Sequence, residues 1–214
     1  MKAVIVGATG AVGRDLLDLL LRDKRYDEVR PLRAVKCVRR TPPTSFAPMW
    51  WILRSPKAGR TSSKATLSLG ARHLAQAGGL DGGQRHVDYD YQMMFARFAK
   101  KYGIRHMVLV SSVGADPSSR FFYLRLKGEV ERDMEALGFS ALTIIEPPSL
   151  IRKHAKRLME TVSVKAIQGL NAIGLVKNMA PISTEVVASC MANVGAEEKQ
   201  GVQRITGQEI RSFA

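Results

Sequence analysis

A tyrosine and a lysine stand four residues apart, at Tyr123 and Lys127, and the serine pair Ser111 and Ser112 precedes them. Residues four apart share one face of a helix, so their side chains are neighbours in a helical segment. A nearby ammonium group lowers the pKa of a phenol from its usual value of about 10, which lets tyrosine pass a proton near neutral pH. A serine hydroxyl at an adjacent strand end would hydrogen-bond the reacting oxygen. The spacing therefore predicts a Ser-Tyr-Lys proton relay, with an incidental helix face as the alternative.

The tyrosine and lysine lie on a segment with the pattern of an amphipathic helix. Its apolar residues recur every three or four positions over residues 121–137, and Gly138 follows where helices commonly end. Glycine inside a helix costs about 1 kcal/mol relative to alanine, so Gly128 predicts a close approach by another part of the chain. Tyr123 and Lys127 lie at the edge of the apolar stripe. The stripe comprises Leu126, Val130, Met134 and Leu137.

Three glycines, Gly7, Gly10 and Gly13, follow the apolar run Lys2–Val6 and precede a leucine-rich helical pattern. In a strand–turn–helix unit, such glycines permit a tight turn and a close approach to a pyrophosphate, which the helix N-terminus favours electrostatically. The turn therefore predicts dinucleotide binding, although a purely structural turn is the alternative.

The basic residues Arg39 and Arg40 follow the expected second strand, residues 33–38. A site that prefers NAD(H) usually carries Asp or Glu about 20 residues after the glycine turn, and this neighbourhood offers only cations. Guanidinium groups bind phosphate well, so the pair favours NADP(H) over NAD(H). A solvated, charged strand end is the alternative.

The net charge of +14 comes mostly from residues 29–80, which contain ten basic residues and no Asp or Glu, leaving 14 − 10 = +4 elsewhere. This segment allows a nucleic-acid binder as a minor hypothesis, with affinity that falls steeply as salt rises. No basic motif interleaved with aromatic residues accompanies the charge, so we expect no nucleic-acid partner.

Apolar runs alternate with helical patterns along the rest of the chain. Strands are expected at residues 106–112, Ala141–Glu146 and 202–206, and helices at 87–103 and 185–194. The first of these helices should bury a stripe formed by Val87, Tyr91, Met94, Phe95, Phe98 and Tyr102. Alternating strands and helices predict an α/β fold with a doubly wound parallel sheet, in one domain over residues 1–214.

The start of the chain lacks a long apolar stretch typical of a secretion signal, and no segment reaches transmembrane length. Cytoplasmic localisation without a membrane partner is the expectation. Cys37 and Cys190 lack metal-ligand spacing, as do the four histidines, so we expect inert thiols and no metal site.

Three segments, GATGAVG (7–13), VLVSSVGAD (108–116) and FFYLRLKGEVE (121–131), resemble the atypical short-chain dehydrogenase/reductases. The similarity is greatest to the branch of the Tat-interacting oxidoreductase and its small bacterial NAD(P)H-binding relatives. It is strongest over residues 87–149, and HVDYDY (86–91) and SLG (68–70) resemble the family's helix start and the small-residue turn along its cofactor.

This resemblance implies a Rossmann-like, three-layer αβα fold that binds NADPH. Tyr123 would be the acid/base, Lys127 its pKa-lowering partner and a ribose ligand, and Ser112 or Ser111 the donor to the substrate oxygen. Residues 147–200 would contribute the substrate side. The other implied cofactor contacts are Gly7, Thr9, Gly10, Ala11, Val12, Gly13, Arg39 or Arg40, Leu69 and Gly70.

Two features depart from the family pattern. Glu146 stands where relatives usually have arginine before the proline that follows the strand, and residues 41–66 resemble nothing in the family. The second segment, irregular, basic and without acids, suggests a stretch translated in a shifted frame or derived from a damaged gene. A genuine basic insertion is the rival hypothesis.

These features favour an NADP(H)-dependent oxidoreductase that acts on a carbonyl or alcohol by hydride transfer. A sugar-nucleotide-epimerase-like enzyme and a non-catalytic NAD(P)H-binding sensor are the alternatives. The sequence identifies neither a substrate nor an oligomeric state.

Overall fold

The computed structural model describes residues 1–32, 65–69, 85–151, 180–197 and 199–214. Several expectations lie outside these residues. They are the strand at 33–38, Cys37, Arg39, Arg40, Gly70, the basic residues 152–177 and most of the irregular segment 41–66.

A parallel sheet forms the centre of the described structure. Its strands are β1 (Lys2–Val6), β2 (Glu28–Leu32), β3 (Ala65–Leu69), β4 (His106–Val110), β5 (Ala141–Glu146) and β8 (Gly201–Thr206). Their spatial order is β2-β1-β3-β4-β5-β8, and every neighbouring pair is parallel. A separate parallel pair joins β6 (Leu150–Ile151) to β7 (Ile182–Ser183). The predicted doubly wound sheet is confirmed.

Helices pack on both faces of this sheet. They are α1 (Ala11–Arg22), α2 (Tyr91–Lys101) with a π-helical turn (His86–Asp90) before it, α3 (Phe122–Ala136), α4 (Thr184–Glu197) and α5 (Gly207–Arg211). Alternate residues of β4 enter different cores, because successive side chains of a strand point to opposite faces. Val108 and Val110 pack with α1 and α4, whereas Met107 and Leu109 pack with α2 and α3. The three layers agree with the predicted αβα architecture.

The second strand of the described structure includes residues that the sequence analysis did not assign to a strand. The predicted range 33–38 lies outside the described residues, whereas β2 covers Glu28–Leu32, in register with β1 from Lys2 to Val6. The segment EVRPL contains charged residues and Pro31, so it lacks the continuous apolar run that predicts a buried strand. An outermost strand tolerates proline and charge because one of its edges need not pair, and β2 is outermost among the described strands.

The helix after Arg85 exists as expected, but its predicted apolar stripe is only partly buried, with Phe95 packed against the core. Tyr91 and Met94 are exposed, and the buried side chains of α2 are those of Gln92, Met93, Ala96 and Ala99. Small alanine side chains let the helix backbone lie close to its neighbours, so the larger aromatic residues lie toward the helix sides. On α3, by contrast, the expected residues Leu126, Val130 and Met134 are buried.

Two glycines end helices as predicted. Gly103 follows α2 and Gly138 follows α3, with φ angles of 76° and 64° respectively. These values lie in the left-handed region, which glycine adopts without steric cost.

Candidate functional site

The glycine turn joins the carboxyl end of β1 to α1. Gly7 has a φ of 80°, and its carbonyl oxygen accepts a hydrogen bond from the Gly10 backbone N–H at 2.8 Å. Gly10 is the residue before the first turn of α1, where no side chain caps the helix. The free N–H groups of a helix start attract anions, so this turn suits a diphosphate.

Gly13 is required by the close packing of the turn. A Cβ atom at this position would lie 2.1 Å from the Gly7 carbonyl oxygen, whereas one at Gly10 would lie 3.1 Å from it. Within the same turn, Thr9 is exposed, Ala11 is half-buried, and Val12 belongs to the core between the sheet and α4. The backbone of the turn therefore has the tight geometry that the resemblance implied. Val12 instead contributes a buried side chain to the core.

Three strand ends form one edge of the sheet. Register pairs Val6 of β1 with Leu69 of β3, and Leu69 with Leu109 of β4. Because the strands are parallel, the glycine turn, the end of β3 and the serines after β4 follow at the same carboxyl edge. In open α/β sheets, ligands bind at this edge.

Tyr123 and Lys127 are brought together on α3, as the sequence predicted. The Lys127 Nζ lies over the Tyr123 ring, 5.9 Å from its centroid, and the lysine is only 5% exposed. Ser112 shares a hydrogen bond with Tyr123. The structure thus places Ser112, Tyr123 and Lys127 in one cluster beside the carboxyl edge of the sheet.

The electrostatics of this cluster differ from the expectation. Burial raises the pKa of Tyr123, although the hydrogen bond with Ser112 acts in the opposite direction. Burial also lowers the pKa of Lys127, against the influence of Asp88 and Glu131. The ammonium lies over the ring face and itself loses hydration, and burial outweighs the influences that would lower the pKa of the Tyr123 phenol.

Asp88 is a member of the cluster that the sequence analysis missed. It lies in the π-helical turn before α2, is 3% exposed, and favours the charged form of Lys127. The motif HVDYDY contained the signal, but helix periodicity alone does not distinguish Asp88 from Asp90, which is exposed. A buried carboxylate beside a buried ammonium gives the lysine a partner that water would otherwise supply.

Ser111 lies elsewhere, so the structure separates the two candidate serines. Its hydroxyl donates to Glu131 Oε1, and its backbone N–H donates to the Ile145 carbonyl at 2.8 Å. Arg204 of β8 donates to Glu131 Oε2 at 2.6 Å and to Glu146 Oε1 at 2.7 Å. The departure from the family pattern at Glu146 is thus balanced by an arginine on the neighbouring strand.

Gly128 is where the loop after β4 touches α3. A Cβ atom at Gly128 would lie 2.3 Å from both the Asp116 carbonyl carbon and the Pro117 nitrogen. The loop backbone therefore lies directly on the helix one residue after Lys127, which confirms the predicted close approach. Among the residues the structure describes, no group of histidine, cysteine and carboxylate side chains forms a metal site.

No protein-family model matches the chain. Among curated proteins, it is 34% identical over 161 residues to the protein FMP52, mitochondrial, of Debaryomyces hansenii, covering 73% of this chain and 70% of that protein. It is 30% identical over 203 residues to the protein FMP52-1, mitochondrial, of Scheffersomyces stipitis, covering 92% and 89%. The chain belongs to the FMP52 family. The expected cytoplasmic localisation is wrong, because these relatives are named as mitochondrial proteins.

Solved structures show the same fold as this FMP52-family chain. A dTDP-4-dehydrorhamnose reductase from Yersinia enterocolitica superposes with a TM-score of 0.61 at 15% identity, covering 96% of this chain and 74% of that one. The enzyme WbmH of Bordetella bronchiseptica, in complex with NAD+, gives 0.57 at 12% identity, covering 96% and 75%. At such identities the likeness establishes the Rossmann-type architecture. Within the described ranges of the chain, no helix is long and apolar enough to span a bilayer.

Proposed function

We propose that this chain is an NAD(P)(H)-dependent oxidoreductase that transfers hydride between a nicotinamide cofactor and a carbonyl or alcohol. The observation that carries the proposal is the cluster of Ser112, Tyr123 and Lys127, positioned at the same sheet edge as the glycine turn. A relay of this composition has a use only beside a redox cofactor and a substrate oxygen. The reductase and epimerase neighbours support the proposal through the fold they share.

The residues fit a dinucleotide at the glycine turn. Gly10 and Gly13 let the turn pack tightly against the Gly7 backbone, and the N–H groups at the start of α1, which no side chain caps, would stabilise the negative charge of a diphosphate. A reduced nicotinamide would supply a hydride to the carbonyl carbon. Lys127, on the face of α3 next to this edge, would bind the ribose hydroxyls.

Tyr123 supplies the proton in the direction of carbonyl reduction. Because burial raises the pKa of its phenol, Tyr123 carries its proton at neutral pH and can donate it to the carbonyl oxygen. Ser112 hydrogen-bonds the same oxygen and holds it against the phenol. The carbonyl carbon gains the hydride and the oxygen gains the phenol proton, so an alcohol and a tyrosinate result.

The test is a titration of NADPH fluorescence with purified protein, followed by turnover measurements on a panel of ketones, aldehydes and quinones. We expect Tyr123→Phe to bind NADPH as the wild type does and to lose at least about 100-fold in turnover, the usual scale of general acid catalysis. Tyr91→Phe, on an exposed ring of α2, is the control and should change neither quantity. Absence of both NADPH and NADH binding in the wild type would refute the proposal.

Other outcomes of this assay support the alternatives. If NADPH binds but Tyr123→Phe leaves every measured property unchanged, the chain is a cofactor-binding sensor. If cofactor is retained through turnover and a sugar nucleotide is interconverted without net redox change, the chain is an epimerase-like enzyme. One of the neighbouring structures is described as a UDP-N-acetylglucosamine 4-epimerase.

Preference for NADP(H) over NAD(H) is a further part of the proposal. It rests on Arg39 and Arg40, which follow β2 in the chain and lie outside the described residues. A ratio of NADH to NADPH dissociation constants above about 10, reduced in the Arg39→Ser/Arg40→Ser variant, would support the preference.

The place of action proposed for this chain is the mitochondrion, as the names of its relatives suggest. Fractionation of cells that express the tagged full-length protein tests this point. A relationship to the small bacterial branch of the Tat-interacting oxidoreductase stays a prediction from the resemblance.

A further inference from the structure

Glu131 is a buried carboxylate that continues the row formed by Tyr123 and Lys127. The three residues follow one another at intervals of four on α3, so they lie along one helix face. Glu131 is 4% exposed, and its two carboxylate oxygens have different partners. Oε1 accepts from the Ser111 hydroxyl, and Oε2 accepts from Arg204 Nη1 at 2.6 Å.

The contact with Ser111 fixes the strand end from which Ser112 extends. The Ser111 backbone N–H is bound to the Ile145 carbonyl on β5, and the Ser111 side chain is bound to Glu131 on α3. The residue after β4 is therefore held from both the sheet and the helix. Ser112 follows immediately and meets Tyr123.

The charge of Glu131 also acts on Lys127. Burial raises the pKa of Glu131, but the hydrogen bonds from Arg204 and Ser111 favour its ionised form. In turn, Asp88 and Glu131 are the carboxylates that favour the ammonium form of Lys127 against its burial. Removing a charge from water is costly unless it keeps a partner, so buried Lys127 depends on these two carboxylates, while Glu131 is itself held by Arg204 and Ser111.

Arg204 keeps this arrangement together from the opposite side. It also donates to Glu146 at the end of β5 and forms an ion pair with Glu135, one turn after Glu131 on α3. Glu135 contacts the same guanidinium but is not among the groups that influence Lys127. The chain thus contains a matched pair of glutamates, of which one faces the relay.

We propose that Glu131 is a positioning residue for the relay: its carboxylate anchors Ser111 behind Ser112 and places a negative charge one helical turn from Lys127 on the same face of α3. The inference rests on the proposed function, since Glu131 would act through Ser112 and Lys127, which belong to the proposed relay. Glu131 would then be a fourth side chain that acts with Ser112, Tyr123 and Lys127, and it is itself bound by Arg204.

The test measures the protonation of Lys127 directly, without cofactor or substrate. The protein is labelled with lysine carrying ¹³C at the ε position, the Lys127 signal is assigned with Lys127→Met, and its chemical shift is followed against pH. We expect Glu131→Gln to lower the Lys127 titration midpoint by about one pH unit, because a neutral amide no longer favours the ammonium. Glu131→Asp keeps the charge and should restore most of the midpoint, and Glu135→Gln should leave it unchanged.

An unchanged midpoint in Glu131→Gln, or an equal fall in Glu135→Gln, would overturn the proposal. If Glu131→Gln does not fold, Glu131→Asp provides the test: its shorter side chain draws the carboxylate back from Lys127, so the Lys127 midpoint should fall by less than in a full loss of charge, and a midpoint that does not fall would overturn the proposal. NADPH titrations of the same samples keep the two ideas apart. Normal NADPH binding with an unmoved midpoint refutes the positioning role alone, whereas absent binding refutes the proposed function.

Discussion

Gly128 illustrates how two effects of one residue can oppose each other. As a residue inside α3, glycine lowers helix stability by about 1 kcal/mol relative to alanine. As the contact point of the loop after β4, it allows the backbone of Asp116 and Pro117 to lie against the helix. The distance of 2.3 Å that a Cβ atom would make to that backbone decides which effect is larger.

We therefore expect Gly128→Ala to destabilise the protein by about 1 to 3 kcal/mol, in spite of its better helix propensity. Urea unfolding measures this change, and Arg132→Ala, at an exposed site of α3, should stay within about 0.5 kcal/mol of the wild type. A gain in stability from Gly128→Ala would show that the loop can move away at little cost.

The contacts that could be predicted from the sequence involve residues whose spacing along one helix is characteristic. The Tyr123–Lys127 pair and the close approach at Gly128 follow from helix geometry alone. The roles of Asp88 and Arg204 were not predicted, because their partners are distant in the chain and a charged residue on a helix or strand is usually exposed. The periodicity of the sequence does not show which charged side chains contact a buried partner.

Helix α2 shows the same limit for a whole element. Its existence and its end at Gly103 were predictable, but its buried face was not, because large apolar residues surround most of its circumference. Burial depends on where the sheet and α3 leave room. Ala96 and Ala99 occupy the contact, while Met94 remains 42% exposed.

The packing of α2 predicts contrasting effects of two substitutions. Ala96 is fully buried, so Ala96→Leu should cost about 1 to 3 kcal/mol through overpacking. Met94→Ala removes a larger side chain from an exposed position and should cost less than about 0.5 kcal/mol. Thermal and urea unfolding of both variants would contradict this orientation of α2 if the order of the two effects were reversed.

At the level of the whole molecule, Tyr26 joins the segment after α1 to α4. Its hydroxyl donates to the Ala192 carbonyl at 2.8 Å, and burial raises its pKa to about 12. In the unfolded chain a tyrosine titrates near 10. The folded state thus holds the phenol proton more tightly, so this contribution to stability is complete below pH 10 and is lost as the pH rises toward 12.

We expect Tyr26→Phe to remove this part of the pH dependence. Between pH 9 and pH 12, the free energy of unfolding of the wild type should fall more than that of the variant, by on the order of 1 to 2 kcal/mol. Urea unfolding at several pH values measures the difference, and Tyr91→Phe controls for the loss of one phenol. Parallel curves for wild type and Tyr26→Phe would mean that the phenol is hydrated in the folded protein.

The fold class was accessible from the sequence, because alternating strands and helices favour a parallel sheet. The range of β2 was not, because this strand lacks a continuous apolar run; among the described strands it lies at the edge of the sheet, where charge and proline are tolerated. Membership of the FMP52 family and the mitochondrial names of its relatives could not be predicted from physical patterns in the sequence.

The position of Arg204 in the chain affects how the protein can be made. Glu131 precedes Arg204 by 73 residues in the chain, so it is synthesised well before its guanidinium partner. Until Arg204 is in place, burying the charge of Glu131 is unfavourable. Glu131 can therefore stand behind Ser111, Ser112 and Lys127 in its buried, ionised form only in chains in which β8 has joined the sheet.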